Sequence, residues 1–102
     1  MKRIINNKKY DTEKANLIGE NTYSNIGDFH YMSETLYITK NNNYFIAGEG
    51  GAMSKYSESL GNNQQSGGSE IIPMDKKEAQ SWAIENLDVD TVELYFGIVE
   101  EA

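Results

Sequence analysis

The chain has no cysteine, a single proline and a single histidine, and each scarcity removes a class of chemistry. Without cysteine there is no disulfide, no thiol nucleophile and no thiolate for a metal, and His30 alone falls short of the ligand set of a structural zinc site. No cofactor and no metal are therefore expected. Long apolar runs are also missing. The N-terminal MKRIINNKKY carries charge but no apolar stretch of signal-peptide length, and no segment approaches the roughly 18 apolar residues of a membrane span. A soluble, cytoplasmic protein is the expectation.

Positive charge is scarce where it matters most. Residues 1–69 hold seven basic and seven acidic side chains, whereas residues 70–102 hold nine acids against Lys76 and Lys77 alone, which accounts for the whole net charge of −7. In the first 14 residues the sign is reversed: Lys2, Arg3, Lys8, Lys9 and Lys14 outnumber Asp11 and Glu13. Such a chain is electrically polar. Its net field repels nucleic-acid phosphates and attracts basic surfaces, which argues against direct nucleic-acid binding and for a basic protein partner.

At 102 residues the chain is one domain with one modest core. Its centre is the stretch Glu34–Ser59, ETLYITKNNNYFIAGEGGAMSKYSES. Thr35–Thr39 and Tyr44–Ala47 are rich in β-branched and aromatic residues and flank asparagines that tolerate left-handed backbone, which predicts a β-hairpin. Gly48-Glu49-Gly50-Gly51 is expected to be a turn closing the second strand. Upstream, Arg3–Ile5 and Tyr10 flank Asn6-Asn7-Lys8, giving two short strands or a strand and a loop, and Ala15–Ser24 is expected to be extended. Asn25, Gly27 and Asp28 form a turn cluster. Downstream, residues 57–69 predict a mobile loop, and Glu70–Ile72 a short strand that Pro73 ends.

Asp75 and Glu78 predict a capped helix, with Ala79, Trp82, Ala83 and Leu87 on one apolar stripe centred on Trp82 and Ile84 off it. Val92, Leu94, Phe96 and Ile98 alternate as a strand would. Val89, Val92 and Phe96 instead share a helical stripe, and Asp90 with Glu93 repeats the capping pattern, which favours a short helix. The expected fold is α+β: a small antiparallel sheet built on the central hairpin, packed by one amphipathic helix, with a short second helix at the C-terminus.

Four groups of residues invite a functional reading. The glycines at 48, 50 and 51 resemble a phosphate-cradling loop, but Lys55 is the only basic residue nearby and Glu49 inside it repels phosphate, which favours a plain glycine turn. His30 with Asp28 or Glu34, and a serine, would make an acid/base pair if geometry brought them within hydrogen-bond reach. Asp88, Asp90, Glu93, Glu100 and Glu101 match no calcium-loop spacing. Those acids form either a plain solvated face or, with Glu70, Glu78 and Glu85, an imitation of the charge of a nucleic-acid backbone. The chain's seven tyrosines offer interface area at low entropy cost, with nucleic-acid stacking as the competing use. The expected partner-binding residues are Glu78, Glu85, Asp88, Asp90, Glu93, Tyr37 and Tyr44.

Three blocks, KKYDTEKANLIGE, ETLYITKNNNYFIAGEGGAMSKYSES and GGSEIIPMDKKEAQSWAIENL, cover most of the chain. Together they resemble small proteins of Gram-positive mobile elements, some of which are type II-A anti-CRISPR proteins, inhibitors of the RNA-guided DNA nuclease. The resemblance implies a non-catalytic binder of a type II CRISPR effector nuclease, acting in the bacterial host's cytoplasm. It transfers no contact residues, because the shared blocks read as strand, glycine turn and capped helix. The alternative from another class is a small nucleic-acid-binding or autoregulatory accessory protein that uses the Lys2–Lys14 edge and tyrosine stacking. A third is an enzyme acting on RNA through His30.

Overall fold

A computed structural model describes residues 1–25, 27–61 and 64–102. Ile26, in the expected turn cluster, and Asn62 and Asn63, in the expected 57–69 loop, lie outside the described residues. In chain order the elements are β1 (Lys2–Ile5), β2 (Lys8–Asp11), β3 (Asn16–Tyr23), β4 (Met32–Ile38), β5 (Tyr44–Gly50), β6 (Glu58–Gly61), β7 (Gln64–Ser66), β8 (Gly68–Met74), α1 (Lys76–Asn86) and α2 (Val89–Phe96). The α+β expectation holds, with the β4–β5 hairpin at the centre of a four-stranded antiparallel sheet of order β3-β4-β5-β8.

Local chemistry sets the turns. The β1–β2 ribbon reverses at Asn6 and Asn7, both at positive φ (52° and 64°), the geometry that suits the twist of a two-residue hairpin. The central hairpin reverses through Asn42 (φ 62°), with the Asn43 amide donating to the Thr39 hydroxyl at 3.0 Å. In both places a short amide side chain tolerates the left-handed region that most residues avoid.

The sheet is covered on both faces. Ile18, Leu36, Tyr44 and Ile46 point to one face, where they meet Ala79, Ala83 and Val92 of the two helices. Phe45 and Ile71 point to the other, where Tyr10 of β2 packs with Ile5, Ala15, Tyr37 and Ala47. The two-residue period of β5 thus places Tyr44 and Ile46 beneath the helices and Phe45 beneath the ribbon. Tyr10 meets Phe45 edge-on, with ring centroids 5.4 Å apart.

Helix α1 begins in the expected capping box. The Glu78 amide donates to the Asp75 carboxylate at 2.7 Å, and the Asp75 amide to Glu78 Oε1 at 3.1 Å. Its apolar stripe faces the sheet, but the fully buried residues are the alanines at 79 and 83, and Trp82 sits half-buried at the margin. Small side chains let the helix backbone settle close to the strands, and the large indole remains at the edge. For α2 the N-cap is Asp88, which accepts from the Thr91 amide at 2.8 Å. Asp90, the expected capping residue, lies inside the first turn instead.

Three local expectations are corrected. Gly48–Gly51 is not a turn: β5 runs on through Gly50 and pairs with β4 on one side and β8 on the other. The glycine at 48 is required because the Tyr56 ring lies against its Cα, in the space a β-carbon would occupy. Residues 57–69 hold the β6–β7 pair, with Ser59 opposite Gln65. Pro73 does not end β8, which continues to Met74. The proline is tolerated because β8 lies at the edge of the sheet.

Candidate functional site

The fold turns the uneven charge of the sequence into two opposite faces. The helices and the residues that follow them hold most of the nine acids of residues 70–102, and lie on one side of the sheet. The β1–β2 ribbon, with Lys2, Arg3, Lys8 and Lys9, lies on the other. Of the two acids near those bases, Asp11 is buried and its carboxylate accepts the Glu13 amide at 3.0 Å. A helix layer and a ribbon, each about 10 Å from the sheet, separate the two fields by about 20 Å, more than two Debye lengths at physiological salt. Each face therefore presents its own sign to a partner.

The expected partner-binding acids come together on the helical face but do different work. Glu78 is held in the α1 cap and Asp88 in the α2 cap. The Thr91 hydroxyl and amide hold the Asp88 carboxyl below the usual carboxylate range. Glu93 accepts the Val99 amide at 2.8 Å and so ties the C-terminal segment back onto α2. Glu85 and Asp90 are exposed and make no hydrogen bond or ion pair among the described residues. These two carboxylates are free to meet a partner's cation.

The two expected aromatic anchors are not on this face. Tyr44 is buried, its ring stacked on Phe96 with centroids 5.6 Å apart, so it belongs to the core beneath the helices. Tyr37 stacks on Phe45 at 5.1 Å on the ribbon side. Burial, and then the charge of Glu20, push its hydroxyl pKa up. The exposed apolar side chains of the helices and of the segment after them are aliphatic: Ile84, Val89, Leu94, Ile98 and Val99. Sequence reasoning did not anticipate this exposed apolar surface, although Ile84 standing off the α1 stripe was the available signal.

The most heavily engaged acid is Glu34, which is buried. Its carboxylate accepts from the Tyr56 hydroxyl, from Lys55 Nζ at 2.7 Å and from the Trp82 indole at 3.2 Å. Burial pushes the Glu34 pKa up, but the three donors, led by Lys55, outweigh it and hold the carboxyl below its ordinary value. Burial and the neighbouring carboxylate push the Tyr56 hydroxyl well above its own. The cluster thus pairs an ionised acid with a protonated phenol. It ties β4, the segment before β6 and α1 together.

His30 pairs with Asp28 rather than Glu34. Its ring Nδ1 lies 3.3 Å from Asp28 Oδ1, and the Ser24 hydroxyl donates to Asp28 Oδ2 at 2.8 Å. The carboxylate therefore stands between serine and histidine, whereas nucleophile activation needs the histidine between serine and acid. At the glycine stretch, Gly48 and Gly50 lie within the strand ladders and the Gly51 amide donates to the Tyr31 carbonyl at 2.8 Å. The cavity beside them, about 540 Å³, is lined by Asp28, Glu49 and Glu58, which repel an anion.

Among the described residues there is no group of three His, Asp or Glu side chains able to hold a metal ion, and no helix is long and apolar enough to cross a membrane. Comparison of the chain with protein-family models, with curated proteins and with solved structures finds no match.

Proposed function

We propose that this protein is a stoichiometric, non-catalytic inhibitor of a type II RNA-guided DNA nuclease, acting in the bacterial cytoplasm. Its acidic helical face occupies basic surface that otherwise holds guide RNA or target DNA. The observation that carries the reading is the gathering of the chain's excess acids on one face, with Glu85 and Asp90 unpartnered among the described residues. A nuclease of this class grips the guide–target duplex through a positively charged channel that recognises backbone rather than sequence. A protein face that offers carboxylates competes for the same cations. The three sequence blocks that resemble anti-CRISPR proteins of Gram-positive mobile elements support the same partner.

The test mixes purified protein with the nuclease before and after guide loading and measures DNA cleavage. Inhibition at molar excess, stronger in one order of addition than the other, supports the reading and identifies the blocked step. Full cleavage in both orders refutes it. A second reading draws on the ribbon face, where Lys8 and Lys9 stand exposed together: a small nucleic-acid-binding accessory protein. A salt-sensitive gel shift with free RNA or DNA, in the absence of nuclease, would favour that reading.

A further inference from the structure

The helical face carries more than charge. Ile84, Leu87, Val89, Val92 and Val99 line a groove of about 240 Å³, with Glu93 as the polar residue on its wall. That volume falls below the roughly 300–1,000 Å³ of small-molecule pockets, and it suits one or two side chains of a protein partner. The bond from the Val99 amide to Glu93 holds the last wall of the groove in place. Ile84 is 59% exposed and Val89 71%, so the apolar lining faces solvent.

Charge identifies the occupant. In sequence the lining residues alternate with acids: Glu85 follows Ile84, Asp88 and Asp90 flank Val89, Glu93 follows Val92, and Glu100 and Glu101 follow Val99. No lysine or arginine lies beyond Lys77, and Lys77 stands seven residues before Ile84, about 10 Å back along α1. Helix α1 ends beside the groove with no basic residue in its last turn, so the negative end of its dipole adds to the field. A second copy docked through the same face would bring two acidic rims together, its basic ribbon presents strands that find no edge to pair with here, and an anionic lipid surface would be repelled. The helices that form the groove pair their backbone groups internally and offer no open strand edge here, so an added strand gains no ladder.

We infer that this groove seats a basic amphipathic helix of a protein partner, with apolar residues at i and i+3 or i+4 inside it and lysines or arginines against the rim. The inference rests on the reading of the helical face as the binding surface, and names how that face is used.

The probe is a fluorescent synthetic peptide of about five helical turns, leucine on one stripe and lysine elsewhere, titrated with the full chain and followed by anisotropy. Val89→Asp and Ile84→Asp place a charge in the groove. Leu94→Asp makes the same change at a 77% exposed position of α2 that does not line it. Circular dichroism confirms that each variant is folded. Losing one apolar contact should weaken peptide binding about tenfold or more in the groove variants, with Leu94→Asp close to wild type. Equal effects at all three positions, or no binding to wild type, overturn the inference, as does concentration-dependent self-association that the groove variants abolish.

The nuclease assay separates the two claims. Peptide binding lost only in the groove variants, with the nuclease untouched by any form, sustains the groove and refutes the nuclease reading. Nuclease inhibition unchanged in Val89→Asp and Ile84→Asp refutes the groove and sustains that reading.

Discussion

Replacing Gly48 by alanine adds one methyl group to a strand, and the structure makes that small change severe. Gly48 lies directly across from Glu34 in the β4–β5 register, and the Tyr56 ring rests on it while the Tyr56 hydroxyl donates to Glu34. The added carbon lies where the ring is, so the ring must move and its bond to the carboxylate must break. Overpacking a well-filled site costs about 1–3 kcal/mol. Withdrawing a donor from a buried carboxylate costs about 1–3 kcal/mol, toward the lower end because Lys55 and Trp82 still donate. The total is about 3 kcal/mol, a large share of the roughly 5–15 kcal/mol of a typical domain.

Trp82 is the only tryptophan and also contacts Glu34, so its emission reports the same cluster during urea unfolding. With a slope of about 1.5 kcal/mol per molar urea, the midpoint should fall by about 2 M. The diagnostic result is the change of sign. In a Tyr56→Ala background the space is vacant, and Gly48→Ala should become neutral or stabilising by up to about 1 kcal/mol, because alanine loses less backbone entropy than glycine. Sulfate can be added to both backgrounds to keep the weakened variant folded. A Gly48→Ala effect within about 0.5 kcal/mol of zero, or the same cost in both backgrounds, would refute the account of this contact.

The Glu34 pKa is lowered in the folded state, so its contribution is present above the unfolded value of about 4.3 and is lost as pH falls through the folded one. Acid unfolding should therefore be less steep in Glu34→Gln than in wild type, measured as Tm from pH 3 to pH 7. The Tyr56 pKa is raised, so its contribution is complete below about pH 10 and declines above it. Tyr56→Phe should flatten that alkaline decline. Asp75→Ala should cost about 1 kcal/mol in urea unfolding by opening the α1 cap. Asp88→Ala should accelerate hydrogen exchange at the Thr91 amide while leaving the sheet protected.

What the sequence disclosed was what short-range chemistry decides. Asn6-Asn7 and Asn42 marked turns, Asp75 and Glu78 marked a helix start, and alternation around Leu36 and Ile46 marked the central hairpin, because each signal lies within a few residues of its effect. The Glu34 cluster was hidden because its partners Tyr56 and Trp82 are 22 and 48 residues away. The extension of β5 through its glycines was hidden for the same reason, since only the Tyr56 ring explains Gly48. Tyr44 was misplaced because β5 is apolar on both faces, and the pattern does not say which face the helices cover. The polar β6–β7 pair follows no hydrophobic alternation that periodicity could detect. The acids of the helical face were legible as a charge excess, but which of them the helix caps would consume was not.

In the proposed function the acidic helical face binds a basic surface of a type II nuclease. The most direct test is the affinity of wild type and of the Glu85→Gln, Asp90→Asn double variant for guide-free nuclease across a sodium chloride series. Both positions are exposed and outside the caps, so the substitutions leave the fold intact. The account predicts that wild-type binding weakens progressively with salt, and that the double variant binds more weakly at low salt with a shallower dependence. Binding that is insensitive to salt and identical in the two proteins, or no binding at any salt concentration, would contradict it.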